Sequence, residues 1–596
     1  MGEFTDHFEK VFNPAAALDP SYQLMLQVME ARALAAVPGP DPGPPSRDLV
    51  IKAVRAQANG KSPDEHGACA ELAKAALTSE SFVDTLHAML VEAWDKRGIS
   101  DVAKRALLVP IFKRKGDAAQ CTNYRGVTLL SFFRRLFAWL VFQHISAVLE
   151  NAMPDMQAGG RKERGCRDNL FVLRVMQEVA AKSRVPFCLA FLDLEKAFDS
   201  LPRKMLFAVL RAQGIPNAIV DMLVNLHTDT TFSVKLNGII GVAFATRIGV
   251  QQGSLEGLGL FNLYLFVAIE PCLSQLRLLG VEIICNSRLE YLTRFRLADI
   301  NGTGNRVYWL YCLLFVDDTV IEAENPAKLQ QALVILQAAL LAFGLRINFS
   351  KSKCMHVAGL DSQPCASCNL FSGARSTFII CSRCERASHL GCVGLLAVPA
   401  GDWVCASCIA VGGPVCSFLK PPVTIGGSCL EWVDEMIYLG ANVSADCTLD
   451  VELGRRISLA NAAFGSIKRV VFQHGSRCLG EGTMSQLFNA LVGSVLLYGS
   501  EVWALTEQQL NRLEAFQRRC LRVLYSNCDG AHDEDEVYNE IRVPSVRTML
   551  ARRQLRWLGH LARRDDDSIL RMMMSGVRRG GHPLSGPCTV LREPLT

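Results

Sequence analysis

The sequence predicts a multidomain α+β protein, and three observations carry that prediction. At 596 residues the chain is longer than one hydrophobic core organises, so several domains are expected. Two separated segments read as apolar strands that run into aspartates. One is Phe191-Leu192-Asp193; the other is Tyr311–Ile321, where Asp317 and Asp318 stand between two β-prone runs. Between and after them lie apolar patterns of helical period. Half of the residues are apolar and a fifth charged, the balance of a globular chain rather than a disordered one.

Net charge is +5, but it is unevenly spread. Residues 101–167 carry 12 Lys/Arg against 5 Asp/Glu, and residues 541–596 carry 11 against 4. Patches of this kind suit a polyanion partner, and solvated surface is the other reading. Of 22 cysteines, 7 fall within residues 365–408. The Met1–Asp6 start is acidic and has no apolar core, so no secretory signal or transit peptide is expected. Paired Cys-x-x-Cys units without such a signal point to metal in a reducing interior, cytosolic or nuclear. No uninterrupted apolar run reaches the ~18 residues of a membrane span; the longest, near Leu136–Leu149, follows Arg134-Arg135.

In chain order, residues 1–95 read as helices around a Pro/Gly-rich linker or loop, Val37–Pro45, the second helical pattern covering Ala68–Trp94. The next segment suits a β-hairpin carrying Lys113, Arg114, Lys115 and Arg125, cations able to clamp a triphosphate. A helix over Phe132–Leu149 leads to the basic, glycine-loosened loop Gln157–Gly165. Another helix runs from Cys166 to Lys182. After the Asp193 strand comes Phe198, either core or a ring beside the sugar of a nucleotide bound at Asp193. A helix over Pro202–Gln213 follows, then a hairpin turning at Asn237-Gly238. The glycine-rich turn Gly249–Gly257 opens an apolar helix, Leu258–Ile269, and lets backbone approach a ligand closely. A helix over Ala327–Phe343 precedes Lys351 and Lys353, either a solvated pair or donors to a leaving pyrophosphate.

Two adjacent carboxylates in an apolar setting are costly unless a cation neutralises them. With Asp193 they form a set that can hold two Mg²⁺ ions, the arrangement used for in-line nucleotidyl transfer. For Asp317 and Asp318 alone, a solvated hairpin turn is the other reading.

Taken together and in this order, these segments resemble the reverse transcriptase of LINE-type, non-LTR retrotransposons, from about Leu107 to Lys353 and again from Trp432. The resemblance implies a right-hand polymerase with fingers, palm and helical thumb. It makes Asp193, Asp317 and Asp318 the catalytic Mg²⁺ ligands. It assigns Lys113, Arg125, Phe198 (as steric gate), Gln252, Gly253 and Lys351 to the nucleotide, and Gln157 and Arg161 to the template. Met436–Gly440 resembles the primer-grip turn, and Leu496–Trp503 with Arg552–His560 the thumb and tail, whose Arg518, Arg519, Arg522, Arg553 and Arg556 suit a nucleic-acid backbone. The implied partners are an RNA template, a DNA primer and dNTPs; nuclear action is expected, and no membrane partner. Departures stand beside the likeness. The family has Cys-Pro-Leu-Ser-Pro after Gln-Gly, whereas this chain has Ser254–Leu258, which removes both prolines and brings the charge of Glu256 towards the nucleotide. No apurinic-type endonuclease pattern precedes the polymerase segments, and no RNase H or terminal zinc knuckle follows them, so part of an element is expected.

Cys365/Cys368, Cys381/Cys384, His389/Cys392 and Cys405/Cys408 supply eight ligands in four pairs, enough to close two tetrahedral Zn²⁺ sites. A 44-residue segment lacks an adequate core, so zinc would supply its folding energy. With Trp403 two residues before Cys405, the order resembles a PHD finger. That resemblance implies interleaved pairs: Cys365, Cys368, His389 and Cys392 on one zinc, Cys381, Cys384, Cys405 and Cys408 on the other. It also implies a histone tail as a partner, with Phe378 the one obvious cage residue. The expected domains are 1–95 (helical and linker), 96–360 (fingers and palm), 361–412 (zinc insert), 413–530 (linker, primer grip and thumb) and 531–596 (basic tail). Two rivals remain: a catalytically inactive nucleic-acid- or chromatin-binding protein on the same scaffold, and a group II intron maturase-like splicing cofactor. The Tyr498–Trp503 and Trp557–His560 patterns argue against the second.

Overall fold

The computed structural model describes residues 1–13, 18–114, 116–183, 186–251, 253–286, 305–357, 378–380, 387–389, 393–395, 399, 404, 421–468, 481–525, 543–565, 568–573 and 576–578. Its strands in chain order are β1 (Ala106–Phe112), β2 (Tyr124–Leu130), β3 (Phe187–Leu192), β4 (Thr231–Leu236), β5 (Ile239–Ala245), β6 (Val281–Asn286), β7 (Asn305–Leu310), β8 (Cys312–Phe315), β9 (Asp318–Ala323), β10 (Lys353–Val357), β11 (Phe378–Ile380), β12 (Ala387–His389), β13 (Thr424–Ile425), β14 (Ser428–Cys429), β15 (Glu431–Trp432), β16 (Glu435–Tyr438), β17 (Ala441–Ser444) and β18 (Gly576–Arg578). The chain folds into two compact units. The first gathers residues 1–162, 193–274 and 334–348; the second gathers 163–192, 275–333 and 349–596.

The first unit is built on a four-stranded sheet of order β2-β1-β4-β5. The β1–β2 hairpin runs antiparallel from Ala106↔Leu130 to Phe112↔Tyr124. β4 and β5 turn at Asn237 and Gly238, whose φ values of 51° and 82° are those a two-residue hairpin loop asks of Asn-Gly. The N-terminal helix Gly2–Phe12 lays Phe8 and Phe12 on this sheet, against Leu108, Leu130, Phe232 and Phe244. Of the two readings of Val37–Pro45, linker or loop, the structure shows a loop, and it is fastened along its length. Gly39 N donates to Gly214 O (2.9 Å), Trp94 Nε1 donates to Pro42 O (3.2 Å), and Asp41 Oδ1 accepts from Ala218 N (3.1 Å) at the start of the helix Asn217–His227. Proline fixes φ and removes donors, so such a loop satisfies its carbonyls through partners elsewhere.

Two helices, Phe132–Ala152 and Leu255–Leu279, are long and apolar enough to cross a membrane, which corrects the expectation that no segment reaches that length. Core helices meet the same test. Phe132–Ala152 buries Leu136, Phe137, Leu140, Val141 and Ile145, and it also buries the cation of Arg134.

The second unit is built on a five-stranded sheet of order β15-β10-β3-β9-β8. β3 is buried along its whole length and runs antiparallel to β9 (Leu192↔Thr319) and β10 (Phe191↔Lys353). A strand covered on both faces reads as an unbroken apolar run, which is why Phe187–Leu192 has no polar alternation. The helix Cys166–Ser183 contributes Leu170, Phe171, Leu173 and Met176 to one core. The helices Asp450–Ile467, Glu507–Tyr525 and Val546–Ala562 add Leu453, Phe464, Leu513, Phe516 and Trp557 to it. β16 and β17 form a hairpin through Leu439 and Gly440, both at positive φ.

Candidate active site

The hairpin expected at Tyr311–Ile321 is present, with one shift. Phe315 pairs with Asp318, so the two-residue loop is Val316-Asp317, and Asp318 opens β9 rather than sharing the turn. Val316 takes the left-handed conformation (φ 60°), a strained one for a β-branched residue. Asp317 is half-buried and Asp318 exposed. β3 lies beside β9, and the register Leu192↔Thr319 stops one residue short of Asp193 on one strand and one residue past Asp318 on the other. The backbone at Asp193 is fixed in its own unit: its carbonyl accepts from Asn348 N (2.8 Å), and the next residue, Leu194, bridges Ile347.

The donor set is all carboxylate oxygen, hard ligands that suit Mg²⁺. Among the described residues no three His, Cys, Asp or Glu side chains are gathered into a ready chelate. Magnesium rarely asks for one; it is usually held by one or two carboxylates, with water and substrate phosphate completing the shell.

The expected nucleotide residues of the first unit are carried by the β1–β2 hairpin and by the segments around Phe198 and the glycine turn. Lys113 follows β1, its amide donating to Asn123 O (2.9 Å) and its Nζ to Thr122 O (2.8 Å); Arg125 is exposed on β2 opposite Ile111. Phe198 is half-buried and stacks on Phe261, ring centres 4.8 Å apart. The glycine turn is sewn to the same place, for Val250 N donates to Phe198 O and Gly249 N to Leu201 O, both at 2.8 Å. Gly249 has φ 82°, and a Cβ there would lie 2.7 Å from Asp199 O. Gly253 also has positive φ (103°). Burial pushes the Asp199 carboxyl up to about 6, against the pull of Lys196 and Lys113. Gln252 and Lys115 lie outside the described residues.

Two expectations change. Glu256 does not bring charge towards a nucleotide. Its side chain is fully buried and accepts from Arg134 Nη2 at 2.9 Å, with His227 Nε2 4.0 Å away. In place of the prolines, Ser254 caps the helix Leu255–Ile269, its hydroxyl accepting from Gly257 N (3.1 Å). Gln157 and Arg161 are directed into their own loop. Gln157 is buried and accepts from Gly159 N (2.9 Å); Arg161 binds Glu150 (2.7 Å) and the carbonyls of Pro154 and Gln157. As they stand, both bond to the loop and to the end of the helix before it.

In the second unit Lys353 pairs with Glu431 (2.6 Å), whereas Lys351 is exposed. Sequence reasoning missed Arg203, whose buried guanidinium donates to Gly249 O (2.8 Å) and Thr246 O (2.7 Å) and so holds the approach to the glycine turn. It also missed the Arg134–Glu256 pair. The available signal was a cation in the first turn of one apolar helix, Arg134, and the one charge within another, Glu256 in Leu255–Ile269. The eight proposed zinc ligands lie outside the described residues, save the backbone of His389 at the end of β12.

A mixed sheet whose β8–β9 hairpin carries Asp317 and Asp318 has the form expected of a polymerase palm. A family comparison narrows the class. The model of the reverse transcriptase (RNA-dependent DNA polymerase) family matches residues 112–443, more than half of the chain. The chain belongs to that family. It is 27% identical over 315 residues to the transposon TX1 uncharacterized 149 kDa protein of Xenopus laevis, a match covering 52% of this chain and 22% of that protein. It is 27% identical over 209 residues to the Pol polyprotein of the type-2 retrotransposable element R2DM of Drosophila melanogaster, covering 35% and 17%. A transposon-derived protein of Caenorhabditis elegans is 33% identical over 144 residues, covering 23% and 50%. The chain thus spans about a fifth of the length of the first two relatives.

Proposed function

We propose that this chain is the polymerase part of a non-LTR retrotransposon protein and adds dNTPs to a DNA 3′-hydroxyl on an RNA template. The observation that carries the reading is the β3–β9 register, which ends the two strands next to Asp193 and Asp318 with Asp317 in the adjoining turn. Asp193, Asp317 and Asp318 would hold the Mg²⁺ ions. Metals held there would lower the hydroxyl's pKa and would stabilise charge on the pyrophosphate. Lys113 and Arg125 would bind the triphosphate, and Phe198, steadied by Phe261, would exclude a 2′-hydroxyl. Gln252 and Gly253 would position the incoming nucleotide and template, the positive φ of Gly253 (103°) leaving its backbone open to close approach. Lys351 would give a proton to the leaving pyrophosphate. Gln157 and Arg161 would act on the template by shaping the loop that meets it. Primer extension on an RNA template is the test: Asp317→Ala should abolish incorporation, and equal incorporation by wild type and variant would defeat the enzyme reading.

The rival, an inactive nucleic-acid-binding protein, drew its support from Ser254–Leu258. The Ser254 cap and the Arg134–Glu256 pair weaken that support, since the altered segment still opens a well-anchored helix.

The segment 361–412 we read as a PHD-type module with two structural zinc ions, acting in the nucleus. The spacing of its four ligand pairs supports this, as does the β11–β12 ladder, Phe378↔His389, which sets two of the ligand-bearing stretches on one short hairpin. Metal analysis should find about two zinc per chain. A histone-tail peptide array, with zinc-stripped protein as control, tests the partner; no binding above that control removes it.

A further inference from the structure

The hairpin β16–β17 is fastened on two sides within the second unit. At its turn, Leu439 O accepts from Tyr498 Oη (2.8 Å), and Gly440 O accepts from Arg455 Nη1 (2.9 Å) and from Arg456. Asn442 N donates to Glu452 Oε2 (2.7 Å), so the helix Asp450–Ile467 grips the turn and the strand after it. Along its length, Asn442 O accepts from Arg174 Nη2 (3.1 Å) and Ser444 O from Gln177 Nε2 (2.6 Å), both from the helix Cys166–Ser183. A hairpin bound at so many backbone atoms moves as one body with what holds it.

The same helix presents one more side chain. Asn169 is 3% exposed, and its Nδ2 donates both to Tyr438 Oη (3.1 Å) and to Leu314 O (3.0 Å). Both amide hydrogens are therefore committed. β8 is the edge strand of its sheet among the described residues, so an outward carbonyl there has no neighbouring described strand to answer it. Asn169 supplies that partner at Leu314, one residue before the Phe315↔Asp318 pair that closes the carboxylate turn. Tyr438 lies 4% exposed at the end of β16, its ring 5.7 Å from that of Phe191 on β3. Its hydroxyl is pushed well above the usual range by burial, with Asp318 and Glu322 adding to the effect.

We propose that Asn169 and Tyr438 are positioning residues: they join the β16–β17 hairpin to the backbone of the carboxylate hairpin, so that strain or seating at the Leu439-Gly440 turn sets the geometry of Asp317 and Asp318. This rests on the polymerase reading, under which the Leu439-Gly440 turn meets the primer. The link makes nucleotide addition depend on a seated primer end. A primer held wrongly would shift Tyr438, release one hydrogen of Asn169 and loosen Leu314.

The test uses the full chain with Tyr438→Phe, Asn169→Leu and the double variant. Single-nucleotide incorporation should show kcat lowered about tenfold in each single variant, with KM for dNTP and the dissociation constant for template–primer within about twofold. The double variant should lose no more than the worse single, because both remove one link. Amide hydrogen exchange of the 312–321 peptide should quicken about tenfold in Tyr438→Phe, with the thermal midpoint little changed. Unchanged exchange in that peptide, or losses that multiply in the double variant, would overturn the link. If the wild type incorporates nothing, the polymerase reading fails by itself, and the exchange arm still decides whether the two hairpins are joined.

Discussion

Arg134 and Glu256 are both fully buried, and each is the other's counter-charge. Removing two ions from water costs several kcal/mol, which close pairing only partly offsets, so the pair adds little net stability although losing one partner is costly. Arg134→Met alone leaves Glu256 charged in the core and should cost about 3–5 kcal/mol, whereas Arg134→Met with Glu256→Met should recover most of that loss. Thermal or urea unfolding of the three variants checks this; a double variant as unstable as the single would refute it. His227 completes the cluster. Burial pulls its imidazole down to about 4, with Arg134 and Arg203 adding to the fall and Glu256 opposing it. The folded pKa lies below the unfolded one. The contribution is therefore intact above pH 6.5, is lost as pH falls from there towards 4, and amounts to about 3 kcal/mol. Melting temperatures across that window should fall for the wild type and flatten in His227→Asn. Sequence gave the identity of these residues but not their meeting, because Arg134, His227 and Glu256 are brought together by helix packing across more than a hundred positions.

Among the elements, hairpins and capped helices were the most legible. The Asn237-Gly238 turn, the hairpin carrying Lys113 and Arg125, and the helices begun at Phe132 and Cys166 follow from local chemistry: turn residues, a Ser131 cap and apolar period. The Val37–Pro45 segment stays linker or loop on sequence alone, because composition reports only that it cannot be helix or central strand. Whether it hangs free depends on partners such as Gly214 and Ala218. The glycine turn shows the same divide. Sequence marked it, but the reason for Gly249 is a tertiary one, the approach of Asp199 O to within 2.7 Å of any Cβ, together with a positive φ. Gly249→Ala should therefore cost about 2 kcal/mol or more and raise KM for dNTP more than it lowers template affinity. Steady-state kinetics beside a melting curve would check both parts.

For the molecule as a whole, linear segments and compact units do not coincide. Residues 1–95 belong to the same unit as the β1–β2 hairpin, and β3 and Asp193, joined by one peptide bond, fall into different units. The chain leaves the second unit's sheet at Val357 and returns to the same edge, where Glu431 and Trp432 pair with Lys353 and Cys354 and Gln330 binds Thr424 N (2.6 Å). Loops whose ends are held close tolerate insertions at small entropic cost. Replacing residues 361–412 by a short Gly/Ser linker should thus leave the melting temperature within about 3 °C and primer extension within about threefold. A collapse of either would show that the insert supports the sheet.

By itself the sequence determined the family and the residue types that each motif sets in order: paired carboxylates, clustered cations and closely spaced thiols. These are properties of residue type and of short-range order, which a chain carries before it folds. Only the tertiary structure decided which charges meet. Pairing across the sheet set Asp318 at the head of β9, helix packing neutralised Glu256 with Arg134, and an edge strand's unanswered carbonyl made Asn169 matter. Electrostatic and hydrogen-bond energies depend on distance and burial, and neither exists until segments far apart in the chain are packed together.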